Sequence, residues 1–162
     1  MRGPGDHAQS IVASRYPIVQ RLPDRPDGLS AAGAVVETPI GPINVFAVHL
    51  TRPWPYQYQW GQITQVMALT QRRLAAPANP VIAAGDFNSV STARIGKQIQ
   101  ADMNLIPAPG WPGTWPSQAP AFAGITIDQV YRSPDLALIT RRLGLPTGSD
   151  HRPVVTEFTR AG

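Results

Sequence analysis

The segment Val81-Ile82-Ala83-Ala84-Gly85-Asp86-Phe87-Asn88 joins two kinds of chemistry. Val81 to Ala84 is short and fully apolar, the pattern of a buried strand. It empties into Gly85-Asp86-Phe87-Asn88, so polar side chains follow directly upon the strand. In layered α/β proteins, sites collect at strand ends, where loops aim side chains while the sheet stays rigid.

Outward from this segment, short strands alternate with two helices. Before it, Trp60, Ile63, Met67, Thr70 and Leu74 recur at three- and four-residue steps. That spacing predicts an amphipathic helix of about five turns, ended by Pro77, with Trp60 and Met67 in the core. Pro53 and Pro55 delay its start. Ala31–Thr38 and Ile43–Leu50 read as strands of a hairpin turning at 39–42. Ile43, Val45, Ala47 and His49 share one face of the second strand. Residues 21–30 read as a loop, and Ile11–Ala13 as a short strand. After the segment, a short helix is expected to Met103, capped by Ser91 or Thr92. Residues 106–124 are loop-like. Ile125–Tyr131, Leu136–Leu143 and Val154–Phe158 read as strands, with a loop over Gly144–Arg152. Residues 1–10 are expected to be a flexible lead-in and 11–162 one domain.

The chain has 162 residues, 18 Pro and no Cys, with Lys+Arg 14 against Asp+Glu 10. Without Cys there is no disulfide scaffold, thiolate metal site or thiol nucleophile. No apolar run suggests a membrane span and no h-region a signal peptide, so a soluble protein is expected. Lys97 is the sole lysine. Arg with abundant Ala, Pro and Gly is the bias of a GC-rich genome, and a bacterial source is expected. The Arg surplus also suits a polyanionic partner.

Candidate chemistry gathers at four places: His49, the pair Asp86 and Asn88, Asp128, and Asp150-His151. Carboxylates can hold a hard divalent cation, an Asp can fix and charge an imidazole, and Asn can orient water or phosphate. Together they suit a hydrolase acting on a charged phosphate. The sequence has no G-x-x-x-x-G-K-[ST] loop, G-x-S-x-G elbow or H-E-x-x-H pair.

Five segments occur in order: Ser14-Arg15-Tyr16-Pro17-Ile18, Val48-His49-Leu50, Gly85-Asp86-Phe87-Asn88, Ile127-Asp128-Gln129-Val130 and Gly148-Ser149-Asp150-His151-Arg152-Pro153. With Thr114-Trp115-Pro116, they resemble the C-terminal motifs of the endonuclease/exonuclease/phosphatase superfamily, the DNase I-like fold. The resemblance implies an α+β protein, a layered α/β/β/α sandwich, here truncated at its N-terminus. It implies Mg²⁺- or Mn²⁺-dependent hydrolysis of phosphodiesters, with a nuclease acting on DNA or RNA as the leading expectation. A binding module that has lost turnover, or a lipid or small-molecule phosphodiesterase, are the alternatives. By the same resemblance His151, Asp128, Asp86, Asn88 and His49 are catalytic, and Asp150 and Asp86 hold the metal. Asn88, His49 and Trp115 contact substrate, although the Trp111–Trp115 loop reads more readily as packing.

The family's early strand ending in Asn and its Q-E motif, which brings the main metal carboxylate, have no counterpart here. Glu37 and Glu157 are the only Glu residues, and neither lies in that motif. The missing strands would leave sheet edges bare. A homodimer or strand-swapped pair is therefore expected to cover them.

Overall fold

The structure, a computed structural model, describes residues 10–23, 27–54 and 59–162. Residues 1–9 of the expected lead-in, and Pro55, lie outside the described residues.

Among the described residues, eight strands and two α-helices follow in order: β1 (Ile18–Leu22), β2 (Ser30–Thr38), β3 (Gly41–His49), α1 (Gln59–Ala75), β4 (Val81–Asp86), α2 (Arg94–Met103), β5 (Ile106–Pro107), β6 (Asp128–Arg132), β7 (Leu136–Leu143) and β8 (Val154–Arg160). Six strands form one sheet in the order β1-β2-β3-β4-β6-β5, and β7 pairs with β8 in a second. β3 and β4 are parallel, which requires a crossover between them, and α1 supplies it. The β4–β6 pair is antiparallel.

Alternation along the strands sends two sets of side chains to opposite faces. Phe46, Val48, Val81, Ala83 and Tyr131 meet Val66 and Leu69 of α1 and Ile95, Ile99 and Met103 of α2 in one buried cluster. Phe87 and Tyr131 meet edge to face at 5.0 Å. The other face carries Ala84 and Val130, which line a cleft together with Pro153 and Val154 at the start of β8. The chain is thus an α+β sandwich, with helices outside the large sheet and the β7–β8 pair across its inner face. Its C-terminal end is tied down where Arg160 Nε donates to the Ile40 carbonyl at 2.7 Å.

Several local expectations fail for identifiable reasons. Ile11–Ala13 is not a strand and Ile11 is exposed; the first strand follows Pro17 instead. It extends into the expected loop because β2 offers it an antiparallel partner. Trp60 and Met67 are 66% and 56% exposed rather than in the core. α1 buries Gln62, Val66, Leu69 and Arg72, so two polar residues share the buried stripe and displace the apolar one read from the sequence. Neither Ser91 nor Thr92 caps α2, whose N-cap is Ala93 with no side-chain cap bond. The Ser91 carbonyl is already taken by Gln100 Nε2 at 2.8 Å. β6 begins at Asp128 rather than Ile125, because Ile125 pairs with Trp115 instead.

Among the described residues, β7 and β8 pair only with each other. Both outer edges of this ribbon are open, the situation that invites pairing with another chain. The dimer proposed from the sequence predicts a light-scattering mass of twice the 17.5 kDa chain at micromolar concentration. A concentration-independent monomer mass would contradict it.

Candidate active site

Strand register assembles the centre of the site. His49 is the β4-facing partner of Asp86, and Asp86 is the β6-facing partner of Asp128. Cross-strand partners share a face, so the three side chains form a row across adjacent strands. That row lies on the inner face, opposite the helices. Close approach of β3 to β4 requires glycine beside it: a Cβ on Gly85 would lie 2.0 Å from the Val48 carbonyl oxygen, and Gly85 has φ +144°.

His151 reaches the row from the loop before β8. Its Nδ1 donates to both carboxylate oxygens of Asp128, at 3.0 and 2.9 Å. This commits Nδ1 and leaves Nε2 for chemistry. Burial alone would lower the His151 pKa; the Asp128 hydrogen bond and the charges of Asp128, Asp86 and Asp150 outweigh it and raise it. His49 Nε2 stands 3.7 Å from Asp86 Oδ2.

Asn88 has a left-handed backbone, φ 47°. Its backbone N–H donates to Asp86 Oδ1 at 2.8 Å, and its Nδ2 donates to the Leu50 carbonyl at 2.8 Å and to Asp86 Oδ2 at 3.4 Å. The Nδ2 group of Asn88 is therefore spent on holding Asp86 and the end of β3. Burial pushes the Asp86 carboxyl up, opposed by the Asn88 N–H; the Asp128 charge raises it further and the two imidazoles pull it down.

Ligand atoms of Asp86, Asp128 and His151 all lie within 4.8 Å of one another. Carboxylate oxygens at this spacing suit a hard divalent cation, which needs only one or two carboxylates besides water. Both oxygens of Asp128 lie within 3.0 Å of His151 Nδ1, whereas Asp86 Oδ2 accepts only the 3.4 Å bond of Asn88 Nδ2 among the described residues, so Asp86 Oδ2 is the freer ligand. Asp150 is exposed and lies outside this group. Its backbone carbonyl accepts from the Ser117 N–H at 2.7 Å.

The residues that hold the site together carry little sequence signal. Buried Thr114 accepts at Oγ1 from the N–H groups of Ile127 and Asp128, both at 3.3 Å, and so fixes the start of β6. Ser149 Oγ accepts from the His151 N–H at 3.1 Å. Ser117 Oγ donates to the Ser149 carbonyl, and Arg152 Nη2 donates to the carbonyls of Ser117 and Ala119. The aromatic loop is thereby clamped to the His151 loop. Only the T-W-P motif hinted at this. On that loop Trp111 is 68% exposed, against the packing preference, whereas Trp115 is 37% exposed and bridges to Ile125.

A family model described as the Endonuclease/Exonuclease/phosphatase family matches residues 2–151. No curated protein matches the chain. Among solved structures, one titled as an endonuclease/exonuclease/phosphatase from Beutenbergia cavernae is 22% identical with a TM-score of 0.70, over 92% of this chain and 47% of its own. The human Nocturnin catalytic domain with bound sulfate anion is 22% identical with a TM-score of 0.58, over 81% of this chain and 52% of its own. A mannosyl-6-phosphatase of Bacteroides thetaiotaomicron is 15% identical with a TM-score of 0.59, over 80% of this chain and 55% of its own. The chain thus spans about half the length of the structures it is similar to. Among the described residues no helix is long and apolar enough to cross a membrane.

Proposed function

The chain belongs to the endonuclease/exonuclease/phosphatase family, and we propose that it hydrolyses phosphodiester bonds of DNA or RNA by attack of water at phosphorus. One observation carries this reading: the row His49, Asp86, Asp128, set by strand register and met from the facing loop by His151. No single turn or cap needs two carboxylates and two imidazoles converging at strand ends.

In this reading, Asp86 accepts the proton of the attacking water while Asn88 holds its carboxylate in place. The imidazolium of His151, kept charged by Asp128, donates from Nε2 to a phosphoryl oxygen. His49 donates to another. The new P–O bond forms as the ester P–O bond breaks; the departing oxygen takes a proton from solvent, and Asp86 returns the one it accepted to solvent. Asp86 would hold Mg²⁺ or Mn²⁺; the ion, when bound, offsets charge building on the phosphoryl oxygens. Metal binding by Asp150 would need its exposed loop to move inward. Sulfate in the Nocturnin structure and phosphate-ester hydrolysis in the mannosyl-6-phosphatase are consistent with a tetrahedral anion as the group recognised.

The test is turnover of plasmid DNA, single-stranded RNA and bis(4-nitrophenyl) phosphate by EDTA-treated protein. Activity is expected to be absent after EDTA and to return with Mg²⁺ or Mn²⁺. Equal turnover with and without metal would contradict the reading. No turnover at any metal concentration would leave the binding-module alternative in its place.

A further inference from the structure

Beside the catalytic row lies a second feature that the hydrolytic chemistry does not use. A cleft of about 520 Å³ opens from His49, Asp86 and Asn88 toward the start of β2. Its walls are fixed. Gln65 on α1 accepts from the Thr51 N–H at 2.7 Å and donates to the Gly28 carbonyl at 3.1 Å. Behind that wall, Arg72 grips Asp27 through two bonds at 2.8 and 2.6 Å, which neutralises the nearby carboxylate. Arg52 is different. It lines the cleft, is exposed, and makes no hydrogen bond or ion pair among the described residues. It is the one Lys or Arg on that lining.

We propose that Arg52 and this cleft bind the phosphate adjacent to the scissile one on a polynucleotide strand. The proposal rests on the hydrolase reading of the catalytic row and names its substrate class. A guanidinium is permanently charged and forks onto phosphate oxygens, and an unengaged one at the mouth of a rigid cleft is already placed to do so. Arg52 lines this cleft and Asp128 and His151 do not, so an anion held there sits beside the reacting phosphate rather than on it. A phosphomonoester or a diester with a single phosphate has nothing to place there; a nucleic-acid strand presents a phosphate at every step. The formal charge of +4 favours the same partner.

The experiment measures binding of a fluorescent single-stranded phosphorothioate oligonucleotide, which resists cleavage, with Mg²⁺ present and NaCl varied. Arg52→Ala is expected to weaken binding about tenfold, the loss of one charge-assisted contact. It should also flatten the slope of log affinity against log salt by about one. Arg52→Lys should keep the slope and lose part of the affinity, because a point charge replaces the fork. Arg142→Ala, which removes the same charge from the exposed outer side of β7, should change neither. Equal effects of Arg52→Ala and Arg142→Ala would overturn the proposal, as would failure of the parent to bind. A parallel assay with bis(4-nitrophenyl) phosphate separates the two claims. Loss on an unmodified oligonucleotide should exceed loss on this single-phosphate substrate by about tenfold. If the parent turns over neither substrate while binding still depends on Arg52, the hydrolase reading falls and the cleft assignment stands.

Discussion

Replacing His151 with Ala is expected to lower kcat/KM by about 10³-fold, within the range of a lost donor to the charge of the transition state. The fall should lie mainly in kcat, because the imidazolium meets the extra charge that builds on the phosphoryl oxygens in the transition state. Asp128→Asn should lower activity by roughly 10²-fold, since the amide keeps the volume but cannot hold the imidazole charged. The sharper expectation concerns the pair. Nδ1 of His151 is bonded to both oxygens of Asp128, so the two side chains form one unit. The double variant should therefore lose no more than His151→Ala alone. Multiplying losses would mean that Asp128 acts independently, for instance as the main metal carboxylate.

The second large effect concerns stability. Arg72 is 6% exposed on α1 and grips Asp27 through Nε and Nη2, while Nη1 donates to the Ala31 carbonyl and Nη2 to that of Leu29. The clasp fastens the helix to the segment leading into β2. Asp27→Ala removes two charge-assisted bonds from the buried Arg72 guanidinium, at a cost of about 3 kcal/mol. For a domain of this size that is a drop in Tm of roughly 10 °C. The Arg72 hydrogen bonds hold the Asp27 carboxyl below the usual carboxylate range. Its contribution is thus complete above the unfolded carboxyl pKa and is lost as pH falls through the lower, folded one. The Tm gap between parent and Asp27→Ala should accordingly narrow in strong acid. Urea melts at neutral and acid pH check both statements, and a gap that widens in acid would contradict the assignment.

The clasp also shows where sequence reading stops. Asp27-Gly28 is readable as a turn, and Arg72 as one of a pair of surface arginines. Nothing in spacing joins them, because the contact runs between residues 45 apart. The same reason explains α1, whose buried stripe includes Gln62 and Arg72: each pairs with a distant backbone or carboxylate that periodicity cannot see. By contrast, the apolar run ahead of Asp86 and the alternation in β3 are local patterns, and they place His49 and Asp86 at neighbouring strand ends. The choice of site residues came from motifs, and the geometry adds how they meet. Parallel register brings His49 to Asp86, and antiparallel register brings Asp128 to Asp86 from the other side. Thr114 and Ser149 were legible only as members of motifs, and Ser117 not at all, because their work is to hold backbone across loops.

The central claim is that water, with Asp86 taking its proton, attacks phosphorus in the space between Asp86 and His151. Hydrolysis of a defined phosphodiester in ¹⁸O-labelled water with Mg²⁺ or Mn²⁺, followed by mass spectrometry of both products, tests it most directly. The account predicts one ¹⁸O in the phosphate-bearing product, none in the alcohol, and loss of the labelled product with Asp86→Ala. Label in the alcohol, or undiminished labelled phosphate from Asp86→Ala, would contradict it.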